Sequence, residues 1–363
     1  MALIFCEGFD DQYQYNLGAG ISSSKWQSCS NNAGIALNFG RRSSIGIGGT
    51  TANANSSNSQ YMRHDLTASE EHITLCFGFA MRHASFPPSV TMMAEFESDR
   101  LTTPVSHVQL VQNADRSLSV YRGSGTLVGT SGVLLGTSSQ MPLDTQFHYV
   151  EFMATLSATV GTVDVRVDGV SVLSLTNQNT KNGGTKTVFD RLNFHPCEVN
   201  TSYDDLYLIN GAGTLNNTFL GDSNVEVVNP NADGTYSDWL GSDGNSLLNY
   251  ALVAEIGAAN VTTHVASAST DGQRDSYGYS NLSSTNGTVR GVIAQAYVQK
   301  QDSGPRNFRI SARSAGVDAV GPDKAPTITL APYFQVFETD PATGLAWAPS
   351  AVNAMELGYE SRT

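Results

Sequence analysis

The sequence predicts an all-β protein with two domains, and three observations support this prediction. The chain has 363 residues, more than the ~250 to 300 at which a single hydrophobic core stops growing. Only 15% of the residues are charged and 34 are glycine, against a usual charged share of about 25%, which favours short strands and polar turns over helices. From His72 to Arg82 large apolar side chains alternate with small ones, which is typical of a strand.

The first domain is predicted to consist of short strands joined by polar turns. A first strand is expected at residues 3–9, and the Gly-, Ser- and Asn-rich stretch that follows, to about Ser59, is expected to be mostly loop. Further strands are predicted at residues 72–82, 91–97, 105–112, 118–121, 147–155, 163–167, 170–175, 188–194 and 206–209. Their spacing and turn signals are typical of an antiparallel sandwich.

The clearest local feature is a hairpin at Asp168 and Gly169. Both residue types accept the positive φ of a type I′ turn, and a two-residue loop sets Val167 opposite Val170. The same register sets the valines at 165 and 172 opposite each other. The leucines at 173 and 175 break the alternation, so either a bulge or a strand covered on both sides is expected there.

The second domain is predicted to be β-rich as well. Strands are expected at residues 225–228, 251–255, 289–299, 308–314 and 333–337, with one short helix at 349–355. The boundary lies in the segment 203–239, where one β pattern ends and another begins. We therefore assign residues 1–212 and 213–363 to the two domains, expect Leu206 and Leu208 to pack in the first, and expect Trp239 to be buried in the second or at an interface.

Charge and composition narrow the classes of partner. The net charge of -13 argues against nucleic acid, because phosphate binding depends on Lys and Arg. The amino terminus has no basic segment before its apolar run, so no signal peptide is predicted, and no stretch approaches the ~18 apolar residues of a membrane span. The four cysteines show no C-x-x-C pairing, and Cys6 and Cys76 are expected to be buried thiols.

Three carboxylates on one strand are the only local candidates for catalysis. Glu95, Glu97 and Asp99 alternate along the chain, so a strand would place them on one face, and glycoside hydrolysis uses a pair of carboxylates. However, Asp99 precedes Arg100 at a predicted strand end. The alternative is a solvated strand face, which the general rule that charged residues lie outside favours.

A second candidate is a loop that resembles the opening of a calcium-binding loop. Asn229, Asn231 and Asp233 supply oxygen atoms at alternate positions, and Gly234 follows. The twelfth position is Leu240, where such a loop requires a bidentate Glu. An Asx-rich turn is therefore predicted here instead of a metal site.

Two pairs of aspartates are a third candidate. Asp10 and Asp11 follow the first strand, and Asp204 and Asp205 precede the last strand of the first domain. Because the first and last strands of a sandwich are often neighbours, these four carboxylates are candidates for a divalent ion. The favoured alternative is that Asp204 or Asp205 binds turn amides at the strand entry, so no metal and no cofactor is predicted.

The three tryptophans have two interpretations. Trp26, Trp239 and Trp347 are candidates for a sugar-binding platform or for buried anchors of the core. The anchor interpretation is favoured for each of them, because an indole buries a large apolar area.

A family resemblance covers most of residues 70–363. The chain resembles the successive strands of concanavalin A-like, laminin-G-like jelly rolls in four stretches of matching order, namely LSVYRGSGTLVGT at 118–130, FHYVEF at 147–152, VDVRVDG at 163–169 and DDLYLING at 204–211. It is similar to the second half of tailed-bacteriophage virion proteins with such a domain at FLGD (219–222), PNADG (230–234), Trp239 and WAPSAVNAMELG (347–358).

The resemblance implies a concanavalin A-like jelly-roll sandwich followed by a β-rich virion attachment domain. It implies a non-enzymatic structural or accessory protein of the tail, collar or capsid surface, assembled in the host cytoplasm. Other virion proteins and further copies of the chain are then the expected partners. Sandwich domains of this type bind glycans in some settings, so host-surface glycans are candidate partners too. Two alternatives stay open, a polysaccharide hydrolase using Glu95, Glu97 and Asp99, and a receptor-binding lectin.

Overall fold

The computed structural model describes residues 2–10, 26–29, 35–43, 45–49, 61–84, 90–123, 132–142, 144–196, 201–255, 261–267 and 270–362. The chain divides into two compact units, one up to Val225 and one from Glu226. Almost all regular structure in these ranges is antiparallel strand. The predicted fold class, a β-sandwich followed by a second β-rich domain, is confirmed.

The first unit contains fifteen strands in its described residues. They are β1 (Leu3–Glu7), β2 (Ser28–Cys29), β3 (Ile35–Phe39), β4 (Ile45–Gly49), β5 (Met62–Asp65), β6 (Thr74–His83), β7 (Thr91–Ser98), β8 (Val105–Gln112), β9 (Ser117–Arg122), β10 (Val133–Gln140), β11 (His148–Thr155), β12 (Gly161–Val167), β13 (Val170–Gln178), β14 (Arg191–Phe194) and β15 (Thr201–Asn210). A short 3-10 turn occupies Arg41–Ser43. The stretch before Ser59, which was predicted to be mostly loop, therefore contributes three strands.

These strands form two sheets. Sheet 1 has the order β13-β12-β11-β6-β15-β4-β3, and β1 also pairs with β15. Sheet 2 has the order β10-β9-β8-β7-β14-β5-β2. The first and last strands of the unit are therefore neighbours, as the sequence predicts for a sandwich.

Aromatic side chains fill the space between the two sheets. The ring of Phe96 on β7 stacks on Phe152 of β11, with 4.8 Å between ring centroids. Phe194 on β14 contacts Phe77 and Phe79 of β6 at 5.2 and 5.5 Å. All five rings are fully buried, so the alternation that predicts β6 also places its large residues in the core.

The small-residue face of β6 lies on the other side of sheet 1. A Cβ atom at Gly78 would lie 2.2 Å from Cε1 of Tyr207, so only glycine leaves room for this ring. The buried thiol of Cys76 contacts the Tyr207 hydroxyl at 3.6 Å, which confirms the predicted burial of this cysteine. Cys6 is only half-buried.

The segment 219–225 lies across this same face of sheet 1. The amide of Leu220 donates to the Tyr207 hydroxyl at 3.2 Å, and the amide of Gly221 donates to Oε1 of Glu151 at 2.8 Å. The Phe219 ring lies 3.9 Å from the guanidinium carbon of Arg166. These contacts hold the segment in the first unit, which ends at Val225, whereas the sequence places the boundary after residue 212.

The hairpin at Asp168 and Gly169 forms as predicted. Their φ values are 51° and 77°, and Val167 pairs with Val170. The pairing shifts between Val165 and Arg166, so Val165 faces Leu173 and not residue 172. The predicted bulge is therefore present, and it moves the second valine pair out of register.

The second unit has a five-stranded sheet and two strand pairs in its described residues. Its strands are β16 (Pro230–Ser237), β17 (Leu240–Gly241), β18 (Val265–Ala266), β19 (Arg274–Tyr279), β20 (Val292–Val298), β21 (Asn307–Ser314), β22 (Val317–Val320), β23 (Ala331–Phe337) and β24 (Glu356–Arg362). The order β16-β19-β24-β21-β22 forms sheet 3, while β17 pairs with β18 and β20 pairs with β23. The short helix α1 (Pro349–Val352) packs in a core with β20 and Trp347.

Two predicted strands of the second domain are wrong. Residues 225–228 form no ladder, because the amide of Val225 donates to Oδ1 of Asp205 at 2.7 Å where the chain leaves sheet 1. Residues 251–255 include the end of a 3-10 turn, Asn249–Leu252. Asp233 accepts the amide of Tyr250 at 3.0 Å and so holds the start of this turn.

The expected anchors are buried. Leu206 and Leu208 are fully buried in the first unit. Trp239 is 9% exposed, and its indole donates to the carbonyl oxygen of Gln273 at 3.1 Å within the second unit. Trp26 and Trp347 are buried too, which confirms the anchor interpretation of the three tryptophans. In the described residues we find no helix long and apolar enough to cross a membrane.

Candidate functional site

The two glutamates of β7 lie on the face of sheet 2 that points away from the core. Strand alternation requires this, because Phe96 between them points into the core. Glu95 is 7% exposed and Glu97 is 9% exposed. The prediction of a solvated strand face is therefore wrong, because neighbouring strands supply polar groups that bury these carboxylates.

Glu95 is the centre of a line of side chains that crosses five strands. The ladder pairs residues directly opposite one another from β9 to β5, in the order Tyr121, Gln109, Glu95, Asn193 and Arg63. We call these five residues the polar row. Since neighbouring strands lie about 4.8 Å apart, the polar row is roughly 19 Å long.

Hydrogen bonds join the middle of the polar row. The amide nitrogen of Gln109 donates to Oε1 of Glu95 at 2.8 Å, and that of Asn193 donates to Oε2 at 3.2 Å. Nε of Arg63 in turn donates to Oδ1 of Asn193 at 3.1 Å. Both oxygens of the buried carboxylate thus have donors, as a buried charge requires.

A second line runs beside the polar row through Glu97. Arg191 donates to Oε2 of Glu97 at 3.3 Å and to Oδ1 of Asp65 at 2.5 Å, and the three residues are opposite one another in the ladder. Burial, with the nearby charge of Glu95, raises the pKa of Glu97 to about 6, although Arg191 opposes the shift. The shift of the Glu97 pKa thus reflects its burial beside a second carboxylate.

The end of the polar row at β5 carries half-buried groups. The guanidinium carbon of Arg63 lies 4.6 Å from the centroid of the Tyr61 ring, a cation–π distance. Tyr61 also contacts the ring of His195 edge-on at 6.3 Å. The Arg63 guanidinium thus lies over the Tyr61 ring at a half-buried position.

Asp99 does not belong to this face. It follows β7 with a φ of 58°, and its carboxylate binds the turn at residues 185–186. The amide of Thr185 donates to Oδ2 at 3.0 Å, the Thr185 hydroxyl donates to Oδ1, and the Ser98 hydroxyl donates to Oδ2 at 2.9 Å. Burial alone would raise the pKa of Asp99, but these bonds lower it to about 2.

The residue types of a catalytic triad are present in Ser98, His107 and Asp99. Their hydrogen bonds, however, run in a different order from those of a triad. Nδ1 of His107 accepts the amide of Asn182 at 3.0 Å, so Nε2 carries the proton and donates to the Ser98 hydroxyl at 2.7 Å. The serine proton points to Asp99, whereas a nucleophilic serine must donate to the histidine. These hydrogen bonds therefore hold residues 182–185 against sheet 2.

The second aspartate pair binds an arginine. Asp204 and Asp205 lie inside β15, where its pairing with β6 shifts and Asp205 has a φ of 52°. Nη1 of Arg41 lies 3.0 Å from Oδ2 of Asp205, and Nη2 lies 2.6 Å from Asp222. Oδ2 of Asp204 accepts the Arg41 amide at 2.7 Å. Backbone amides and a guanidinium thus bind the two carboxylates that were candidates for an ion.

Only one residue of the first aspartate pair lies in the described part of the chain. Asp10 is half-buried just after β1, and Asp11 lies outside the described residues. Within the ranges given above, no cluster of three or more His, Cys, Asp or Glu residues has the arrangement of a metal site.

The segment predicted as an Asx-rich turn is instead part of a strand. Residues 230–237 form β16 at the edge of sheet 3, where a proline at the first position loses no ladder bond. Asp233 accepts the amides of Leu248 and Tyr250 at 2.5 and 3.0 Å. Asn231 and Asp233 therefore lie on an extended strand and not in the turn of a calcium-binding loop.

Four residues of the outer face of sheet 2 were not predicted as site residues from the sequence, namely Arg63, Gln109, Arg191 and Asn193. For Gln109 and Asn193 the signal is present in the sequence, because each is a polar residue between two apolar residues on a predicted strand. Which strands are neighbours is decided by the fold. The partners of Glu95 at 109 and 193 could not be paired without it.

Comparisons with known proteins concern the fold alone. No protein-family model and no curated protein matches the sequence. A Bacillus subtilis protein with a galectin-like fold is similar over 58% of this chain and 96% of its own, at 9% identity and a TM-score of 0.37. Alginate lyase Aly36B matches over 57% and 95%, at 13% identity and a TM-score of 0.32.

A third similar structure is a mutant of Trypanosoma rangeli sialidase that displays trans-sialidase activity. The match covers 52% of this chain at 10% identity and a TM-score of 0.33. This chain spans only 30% of the sialidase chain.

Acid titration tests the structural role of Asp99. Because its pKa is about 2 in the folded chain against 3.8 for the ordinary group, the ionised carboxylate stabilises the fold above pH 3.8, and this contribution is lost as the pH falls towards 2. Asp99→Asn should lower the free energy of unfolding at pH 7 by about 1 kcal/mol, with a difference that shrinks at low pH. Thermal unfolding followed by circular dichroism from pH 7 to pH 2 measures this effect.

The control for this titration is Asp302→Asn, since the Asp302 side chain is 57% exposed. It should leave the melting temperature unchanged across the range. A difference for Asp99→Asn that stays constant down to pH 2 contradicts the assignment.

Proposed function

We propose that this chain is a non-enzymatic structural or accessory protein of a tailed-bacteriophage particle. The resemblance in both halves of the chain supports this role, with jelly-roll stretches in the first and virion-protein stretches in the second. The proposed location is the tail, collar or capsid surface, after assembly in the host cytoplasm. The proposed partners are other virion proteins and further copies of the chain.

The bonding of Glu95 is the observation that carries the non-enzymatic part of the proposal. A catalytic carboxylate must reach a proton or an anomeric carbon of its substrate. Both oxygens of Glu95 already accept amide hydrogens, and Glu97 is bonded to Arg191. With exposures of 7% and 9%, the two carboxylates are placed to hold strands together.

Attachment to host-surface glycans is a second candidate function. The half-buried pair of Tyr61 and Arg63 favours it, because an aromatic ring and a planar set of N–H donors at one position suit the apolar and hydroxyl groups of a sugar. A polysaccharide hydrolase is the third candidate. It is favoured only by the raised pKa of Glu97, since a general acid must hold its proton near the working pH.

The position of the protein in the intact particle tests the first proposal. Labelled antibodies against the chain, viewed on purified particles by electron microscopy, should mark one site of fixed symmetry. Particles that lack the protein should assemble less efficiently or lose infectivity. The control is a non-structural protein of the same phage, which should be absent from purified particles. Absence of this chain from the particles contradicts the proposal.

A glycan array tests the second candidate. Saturable binding is expected for host envelope polysaccharide, and Tyr61→Ala should weaken it about tenfold, whereas Tyr250→Ala, a half-buried tyrosine of the second unit, should not. A flat array leaves assembly as the role of the protein. Release of reducing sugar that is abolished in the variant Glu95→Gln with Glu97→Gln would establish the hydrolase instead.

A further inference from the structure

A cavity at one end of sheet 1 contains a basic side chain. Its volume is about 260 Å³, and its described lining consists of Arg82, Thr145, Gln146 and Phe147. We call this space the Arg82 cavity. Arg82 lies near the end of β6, and Phe147 directly precedes β11. The cavity therefore lies between the end of one strand and the segment that enters its neighbour.

The ladder between β6 and β11 brings two of these side chains together. Arg82 is four residues after Gly78, so strand alternation places both on the outer face of sheet 1. His148 on β11 pairs with Met81 of β6, and the next position of the same antiparallel register sets Phe147 opposite Arg82. A guanidinium and an aromatic ring thus line the cavity from neighbouring strands.

The Arg82 side chain has no partner in the part of the chain that the structure describes. Its Nε atom is buried without a hydrogen bond, and its guanidinium forms no ion pair with a described carboxylate. Arg41 and Arg191, by contrast, each bind two carboxylates. A buried donor without an acceptor is unfavourable, and an anionic ligand in the cavity would supply that acceptor.

The segment on the other side of the cavity is held by its own carboxylate. Oδ1 of Asp144 accepts the amide of Gln146 at 2.9 Å, and Nε2 of His148 donates to the same oxygen at 2.9 Å. Nδ1 of His148 donates to Oδ2 of Asp168 at 2.6 Å. Asp144 is therefore engaged within its own segment. Thr145 and Gln146 are exposed, so their hydroxyl and amide groups can bond to a ligand.

We propose that the Arg82 cavity binds one hexuronic acid unit of an acidic polysaccharide. Arg82 holds the carboxylate of the sugar, because a planar guanidinium forms two parallel hydrogen bonds with a planar carboxylate. Thr145 and Gln146 bond to the ring hydroxyls, and the Phe147 ring packs against the apolar C–H groups of the sugar.

Charge and size favour this ligand over other anions. The single positive charge of Arg82 balances one carboxylate, whereas a phosphate dianion leaves excess negative charge beside a chain of net charge -13. The cavity of about 260 Å³ is smaller than the ~300 Å³ at which pockets for drug-sized ligands begin. A single sugar ring is therefore the unit that it accommodates.

The inference goes beyond the proposed virion role and concerns a different site from the pair of Tyr61 and Arg63. That pair lies at β5 of sheet 2, whereas Arg82 belongs to sheet 1. The two sites can therefore be tested by separate variants, and the virion role is tested by the particle alone.

Titration of the full-length chain with sodium glucuronate, followed by saturation-transfer difference NMR, tests the proposal. At low ionic strength a Kd of about 1 mM is expected for so small a ligand, and added salt should weaken the binding. Arg82→Gln should weaken it about tenfold or more, because it removes the charge that holds the carboxylate.

Two further variants make the result specific. Thr145→Ala changes an exposed side chain, so the fold should be unaffected while binding weakens about threefold. Arg306→Gln removes the same charge as Arg82→Gln at a side chain that is 36% exposed in the second unit, and it should bind like the wild type. Circular dichroism should match the wild type for all three variants.

Three further ligands test the chemistry of the site. Glucose lacks the carboxylate and cyclohexanecarboxylate lacks the hydroxyl groups, so each should bind about tenfold more weakly than glucuronate. Glucose 6-phosphate should also bind more weakly, because its second negative charge is not balanced.

The inference is overturned if glucuronate does not bind, if folded Arg82→Gln binds it like the wild type, or if Arg306→Gln weakens it equally. It is also overturned if any of the three other ligands binds as tightly as glucuronate. The outcome for the proposed function is separate. A chain that binds glucuronate but is absent from phage particles keeps this site and loses the virion role, and a chain that is found in particles without binding glucuronate loses only the site.

Discussion

The burial of charge on the outer face of sheet 2 is the constraint on which the first unit depends. A carboxylate taken out of water costs several kcal/mol unless charge or hydrogen bonds compensate it. Glu95 receives amide donors from two neighbouring strands, and Glu97 shares Arg191 with Asp65. Each of these partners lies directly opposite in the ladder. The register of the sheet therefore decides whether the face is stable, and the apolar core on its other side fixes that register.

Sheet 1 also buries a carboxylate on its outer face, and the segment 219–225 covers that face. Its outer face buries Glu151 and Tyr207. Oε1 of Glu151 accepts the Tyr207 hydroxyl and, at 2.8 Å, the Gly221 amide of the segment that leaves the sandwich. Arg41 binds Asp205 and Asp222 at the bulge of β15, so a guanidinium occupies the place where an ion was considered. The end of the first unit is therefore set by polar contacts on the sheet.

Local signals in the sequence predicted much of the fold. The predictions that were wrong concern residues whose structure depends on partners far away in the sequence. The hairpin at Asp168 and Gly169 depends on two residues that accept positive φ, so it could be predicted from the sequence alone. Residues 225–228 are apolar enough for a strand, but they leave sheet 1 without a ladder partner. The carboxylates at 95 and 97 follow the alternation of a strand, yet the Asn193 amide that buries Glu95 is 98 residues away. No local pattern could pair these residues.

We propose that Glu95 and its bonded partners in the polar row hold the strands of sheet 2 together. A double-mutant cycle of Glu95→Ala and Asn193→Ala, with free energies of unfolding from urea titration, tests this claim most directly. Each single variant should be destabilised, and the two residues should be coupled by about 1 kcal/mol or more. Coupling near zero, with the stability of Glu95→Ala equal to that of the wild type, would contradict it and would make Glu95 available for a ligand.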